Sequence, residues 1–175
     1  MRVCSHRGFT LIELLIVVAI VGIIAAIAIP GLLRARMSGN ESSAIGSLRA
    51  VHSAQHTFLS TCGQGYYSPS LPNLGQPPPG GVAFLGADLS TAATVLKSGY
   101  WVTMGSAQVA PGTSCNGGSM VYSYQATADP ATLGSTGSRF FGTNPGGAIF
   151  QSPATLVGIM PEAGAPPPPA VPIER

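Results

Sequence analysis

Glu13 is the residue of this chain that most needs a chemical explanation. It lies inside Phe9–Ile29, a block of 21 residues whose other members are almost all apolar. A block of that length suffices for a helix to span a hydrocarbon core of ~30 Å. A carboxylate at the centre of such a segment costs about 2.5–3.5 kcal/mol on insertion scales, which by itself points to a function. It needs a cationic partner, and the block contains neither Lys nor Arg. Cleavage between Gly8 and Phe9 creates one, because a new α-amino group has a pKa near ~8 and is largely cationic at neutral pH. Residues 9 and 13 sit one turn apart on a single helix. On two staggered helices the Glu13 of one copy meets the Phe9 amine of the next. Such a buried polar contact fixes register.

Three further sets of side chains carry potential chemistry. Cys4 precedes the apolar block, whereas Cys62 and Cys115 follow it. These two form an even pair on a chain that reads as exported, and a bridge is expected, with two free thiols as the alternative. With a sequence separation of 53, the bridge contributes roughly 4 kcal/mol in the chain-entropy picture. His52 and His56 have the i, i+4 spacing of helix-borne metal ligands, but no Glu lies between them and no third ligand is evident. They read as two partly exposed histidines, and no metal is assigned. Asp88 and Asp129 are the only carboxylates in the central part of the C-terminal region, too few for calcium, which wants six to eight oxygens. The chain has no Gly-x-Ser-x-Gly nucleophile, phosphate loop or haem-attachment pair, and Cys115 lies in a Ser-Cys-Asn-Gly-Gly turn without a nearby His. We therefore expect no enzyme and no cofactor.

Composition supports this reading. Only 8% of residues are charged, about a third of the usual share. Of eight Lys and Arg, Arg2 and Arg7 precede Phe9, which leaves six basic against six acidic side chains. A neutral chain lacks the electrostatic footprint of a nucleic-acid binder. The basic flank of Arg2, His6 and Arg7 should stay cytoplasmic and leave the C-terminal bulk outside. An ordinary secretory signal would be cut after the apolar block, where Pro30 makes Ala28-Ile29-Pro30-Gly31 a poor site. A plain single-pass anchor fits the hydropathy but leaves Glu13 unexplained.

The elements that position these residues follow from pattern. Beyond Gly31 the sequence turns amphipathic: Leu33, Met37, Ile45, Leu48, Val51, Gln55 and Phe58 recur at three- or four-residue steps, as on a helix packed along one side. Residues 62–98 carry turn chemistry and read as a long connection, with a short helix over Asp88–Lys97 ended by Gly99. Tyr100–Met104 and Met120–Gln125 read as strands. Arg139-Phe140-Phe141 and Ala148-Ile149-Phe150 flank an expected hairpin turn at Asn144-Pro145-Gly146-Gly147. Arg139 reads as an exposed strand residue. An antiparallel sheet of three or four strands results, which needs the helix to be stable. Ala165–Pro172 reads as a solvated polyproline-like tail.

The run Arg7-Gly8-Phe9-Thr10-Leu11-Ile12-Glu13-Leu14 resembles the processing site of type IV pilins and type II secretion pseudopilins, in which a short basic leader ends in Gly before Phe and a hydrophobic helix carries Glu at its fifth residue. The resemblance is close over about the first thirty residues and looser in the C-terminal region. It implies an α+β, pilin-like fold, a long N-terminal helix packed on a small antiparallel-sheet head. It implies peptidase cleavage between Gly8 and Phe9, N-methylation of Phe9, and assembly through Glu13. Gly22 and Pro30 occupy the places between which such filaments often lose helicity. Pro30 also lacks a backbone donor and crowds the carbonyl of Ala26. In many relatives an Asp occupies the turn where this chain has Asn144, a departure that removes a calcium ligand.

The expected organisation is a leader at 1–8, a transmembrane and filament-core helix at 9–30, its amphipathic continuation at 31–61, a head at 62–164 and a Pro-rich disordered tail at 165–175. The expected function is a structural subunit of a type IV pilus. The alternatives are a type II secretion pseudopilin and an uncleaved, membrane-anchored binding module. The partners implied are identical subunits, a prepilin peptidase and methyltransferase, an inner-membrane assembly platform and an outer-membrane secretin. The chain is expected in the inner membrane before assembly, and in an extracellular pilus or a periplasmic pseudopilus afterwards.

Overall fold

A computed structural model describes residues 8–173; residues 1–7, which hold nearly all of the expected leader, and 174–175 at the end of the expected tail lie outside the described residues. The chain divides into two compact units, 1–36 and 37–175. Helix α1, Leu11–Thr61, supplies residues to both.

In the first unit every large apolar side chain from Phe9 to Leu33 is exposed. The helix is long and apolar enough to cross a membrane, and the qualifying window buries nothing within the chain. Gly22 and Pro30 do not interrupt it. A helix that is hydrophobic all round satisfies its backbone internally and leaves its side chains to the surroundings.

In the second unit α1 becomes one-sided. Ala44, Leu48, Val51, Ala54 and Phe58 are buried at helical spacing, along with Glu41, Ser47 and Gln55. They pack on an antiparallel sheet of six strands in the order β1-β2-β5-β6-β7-β8. These are β1 (Thr94–Lys97), β2 (Tyr100–Gly105), β5 (Gln125–Pro130), β6 (Phe140–Thr143), β7 (Ile149–Ser152) and β8 (Val171–Pro172). Alternation along the strands puts Tyr100, Val102 and Met104 of β2, Ala126 and Ala128 of β5 and Phe141 of β6 into one core with the helix. The two alanines leave room for α1 over the middle of the sheet. The opposite face is closed by Leu156 and Met160, which pack on Phe150. Gly142 permits this approach, since a Cβ there would lie 2.9 Å from the Met160 sulfur. A separate two-stranded sheet joins β3 (Val109–Ala110) to β4 (Met120–Val121). Short helices α2 (Leu71–Leu74) and α3 (Ala87–Ser90) lie in the long connection.

The sheet differs from the three or four strands expected in three ways, two of which add a strand. The helix expected over Asp88–Lys97 stops at Ser90, and Thr94–Lys97 forms β1 instead. Ser98 and Gly99 both have positive φ, 47° and 72°, and make the two-residue turn that joins β1 to β2 rather than a helix end. Met120–Gln125 is not one strand: Met120–Val121 belongs to the small sheet, and the chain reaches the large one only at Gln125. The break lies at Tyr122-Ser123-Tyr124, where Ser123 Oγ donates to the Glu162 carbonyl and Tyr124 is fully buried. The expected tail returns to the sheet: Val171 and Pro172 pair with Gln151 and Phe150, and the Ile173 N–H donates to the Ile149 carbonyl at 2.8 Å. Proline suits this place because an edge strand leaves one side of its backbone unpaired.

Cys62 follows the last turn of α1 and is disulfide-bonded to Cys115, with Cα atoms 4.9 Å apart. The Cys115 N–H also donates to the Cys62 carbonyl at 3.1 Å. Replacing both cysteines with Ser should lower head stability by roughly 2–4 kcal/mol. Denaturant midpoints should fall in the variant, and a midpoint equal to that of the oxidised wild type would remove the bridge from the account of stability.

Candidate functional site

The N-terminal site is built from Gly8 to Glu13. Gly8, Phe9 and Thr10 precede the helix, and Phe9 is 74% exposed. Thr10 and Glu13 form a reciprocal pair. The Glu13 Oε2 accepts from the Thr10 backbone N–H at 3.0 Å and from its hydroxyl at 2.6 Å, and the Glu13 N–H donates to Thr10 Oγ1 at 3.3 Å. This is a capping box, in which side chains satisfy donors that the first turn leaves open. The partner of Glu13 is thus a neutral residue rather than the expected cation, and Thr10-x-x-Glu13 carries its signature in the sequence. A Cβ placed on Gly8 or on Gly22 meets nothing within 4 Å. Among the described residues, no packing demands either glycine. Inside a helix, Gly22 even costs about 1 kcal/mol relative to Ala.

In the head, a second carboxylate is held by a full set of donors. Glu41 is buried on α1. Its Oε1 accepts from the Ser138 N–H and hydroxyl, each at 2.9 Å, and its Oε2 accepts from Arg139 Nε at 2.9 Å and Nη2 at 2.6 Å. Arg139, expected as an exposed strand residue, keeps about half of its side-chain surface but spends its fork on Glu41, and Nη1 donates to Gln151 Oε1 at 2.6 Å. Burial alone would raise the Glu41 carboxyl. The hydrogen bonds from Ser138 and Arg139, with the Arg139 charge, outweigh it and hold the carboxyl below its ordinary value. Beside the pair, Tyr100 donates to the Arg139 carbonyl at 2.9 Å. Burial first, and the Glu41 charge second, push its phenol up to about 12. No sequence signal paired Glu41 with Arg139, because they are 98 positions apart.

The other residues considered for chemistry are dispersed. Asp88 pairs with Lys97 at 2.6 Å, whereas Asp129 accepts from the Thr155 hydroxyl at 2.5 Å. Among the described residues no group of three or more His, Cys, Asp or Glu is placed to hold a metal. Asn144 is buried and its amide donates to the carbonyls of Pro161 and Gly164 at 3.0 and 2.8 Å. It ties two loop carbonyls together by hydrogen bonding. His52 and His56 lie side by side with ring centroids 4.8 Å apart.

A long N-terminal helix with a glycine–phenylalanine junction before it and an antiparallel head after it defines a pilin-like protein. Residues 4–29 match the prokaryotic N-terminal methylation motif. The chain is 53% identical over 55 residues to the type IV major pilin protein PilA of Myxococcus xanthus, a stretch covering 31% of this chain and 25% of that protein. It is 61% identical over 38 residues to the type IV wide pilus major component PilA4 of Thermus thermophilus, covering 22% of this chain and 29% of that one. The matched stretches thus span less than a third of either curated relative. No solved structure matches the chain. The motif and the two pilins support the type IV pilin family.

The Glu41 clamp has a pH signature. Because the carboxyl is held low in the folded state, its contribution is complete above the ordinary carboxylate range and is lost as pH falls through the lowered folded value. Glu41→Gln should cost about 2 kcal/mol at pH 7. Its deficit relative to wild type should shrink towards pH 3 in urea titrations, whereas a pH-independent deficit would assign the loss to packing.

Proposed function

We propose that the chain is a structural subunit of a type IV pilus, cut between Gly8 and Phe9, N-methylated at Phe9 and polymerised through its apolar helix. One observation carries this reading most: from Phe9 to Leu33 every large apolar side chain is exposed, and the lone carboxylate sits at the helix start. Such a helix requires lipid or other helices around it. Lipid is as apolar as Leu, so leaving the membrane for a filament brings little hydrophobic gain, and close packing and polar contacts must provide specificity. The glycine at position 22 suits that demand, because it opens room for a neighbouring backbone that the chain itself does not use.

The site supports the processing step in the same way. Gly8 and Phe9 lie outside the helix, where a peptidase can reach the backbone between them. Since no packing inside the chain needs Gly8, its restriction belongs to the peptidase. After the cut, the Phe9 amine lies next to a helix start whose carboxylate is already held by Thr10. Glu13 then accepts the amine of the next subunit and sets the axial step. Gly22 and Pro30 mark the stretch expected to lose helicity on assembly. The partners are further copies of this chain, a prepilin peptidase with methyltransferase activity, an inner-membrane assembly platform and an outer-membrane secretin. The subunit resides in the inner membrane before assembly and outside the cell afterwards. Its role is structural and involves no catalysis.

Two substitutions test the scheme. Gly8→Val should leave the precursor uncut, and normal processing of that variant, read by the mass of the N-terminal peptide, would refute the peptidase assignment. Glu13→Gln keeps a capping-box residue while removing the charge. It should insert and be cut, yet yield at least tenfold fewer sheared filaments; wild-type filament yield would sink the role given to the carboxylate. In wild-type filaments the first residue should be a methylated Phe9, and a chain still carrying the leader would return the protein to the class of plain membrane anchors.

A further inference from the structure

A groove of about 570 Å³ runs in the head between α1 and the turn joining β6 to β7, lined among others by Arg49, His52 and His56 on the helix and by Gly147 on the turn. No carboxylate lines it among the described residues. Among the described residues the Arg49 and His56 side chains make no hydrogen bond or ion pair, although Arg139 and Lys97 pair with carboxylates elsewhere.

The protonation of His52 decides what this wall offers. Its Nδ1 lies 2.8 Å from the Tyr124 hydroxyl. Tyr124 is fully buried, and its hydroxyl has no other partner among the described residues. A phenol proton left without an acceptor in the interior is costly, so Tyr124 donates and His52 Nδ1 accepts. Burial, and then the neighbouring His56, hold the imidazole below its ordinary value, so it stays neutral at pH 7. The proton of the neutral ring therefore sits on Nε2. That atom lies against Gly147, where a Cβ would come within 2.9 Å of it. His52 Nε2 is a donor here and has no lone pair for a metal, which argues against a His52–His56 metal site despite the spacing. The groove thus presents the Arg49 guanidinium and an imidazole N–H, with His56 beside them.

We propose that this groove binds an oxyanion, a carboxylate or phosphate group, through Arg49 and His52 Nε2. A guanidinium and a fixed N–H are the donors that such a group takes up, by charge-assisted hydrogen bonds. Two sources of the anion are distinguished by experiment. One is a soluble or surface-borne ligand. The other is the chain's own Glu174, which follows Ile173, itself a lining residue of the groove.

The test uses the full chain in non-ionic micelles, in phosphate-free buffer, with ¹⁵N-labelled His and Arg. Titration with inorganic phosphate should shift the His52 Nε2 and Arg49 Nε resonances together and to saturation. Arg49→Gln should weaken binding at least tenfold, whereas Arg34→Gln, outside the groove, should leave it unchanged. Glu174→Gln separates the sources: tighter phosphate binding identifies Glu174 as the resident anion, and unchanged binding assigns the groove to an external ligand. The absence of a saturable shift in both wild type and Glu174→Gln, or equal affinity in Arg49→Gln and wild type, would overturn the proposal.

Discussion

A helix whose apolar side chains point in every direction cannot be covered by a small domain at one of its sides. Leu11 to Leu33 of α1 has this character, and most other features of the first unit follow from it. The segment satisfies its backbone internally and tolerates Pro30 within the helix. It leaves Gly22 without an internal contact and concentrates its only charge at the first turn. Three sites of interest in this unit, Gly8, Phe9 and Gly22, share one property. Each has a residue type that the chain's own packing does not require, which is how a surface made for other molecules looks from inside one subunit.

The head obeys the opposite constraint. From Glu41 to Phe58 only one face of α1 is apolar, and that face meets a six-stranded sheet whose central strand carries Ala126 and Ala128. Near the start of this stretch Glu41 is held by Ser138 and Arg139, and beyond its end Cys62 is bonded to Cys115. A carboxylate clamp beside β6 and a covalent bond to the loop between β3 and β4 thus hold the helix at both limits of the packed face. The clamp is specific because a displaced helix would leave Glu41 buried without its donors, a penalty larger than the net gain of the pair itself.

The division between an all-apolar and a one-sided helix was legible in the sequence, since it depends only on residue type and spacing. So were the α+β class and the β6–β7 hairpin at Asn144-Pro145-Gly146-Gly147. Three features were not. The strand β5 reads Gln-Ala-Thr-Ala-Asp-Pro, in which only Thr127 favours strands, and its identity comes from the neighbours on either side. The strand β8 has two residues in a proline-rich run and exists only because β7 offers an unpaired edge. The Glu41–Arg139 pair joins distant positions that no local pattern relates. Glu13 is a different case: its need for a partner is evident from charge, but the nearest one, Thr10, is neutral and is marked only by its capping-box spacing.

The short last strand has a consequence for coexistence with other copies. An open sheet edge is a template on which a like chain can add its own strand, and the risk rises wherever many copies are held close together. Here β7 is shielded by β8, whose second residue, Pro172, offers no N–H and whose two-residue length leaves little to extend. The C-terminal segment therefore acts as an end-stop against edge-to-edge aggregation. In the proposed filament this closes the β7 side of the sheet and leaves the surfaces on α1 for contacts between subunits.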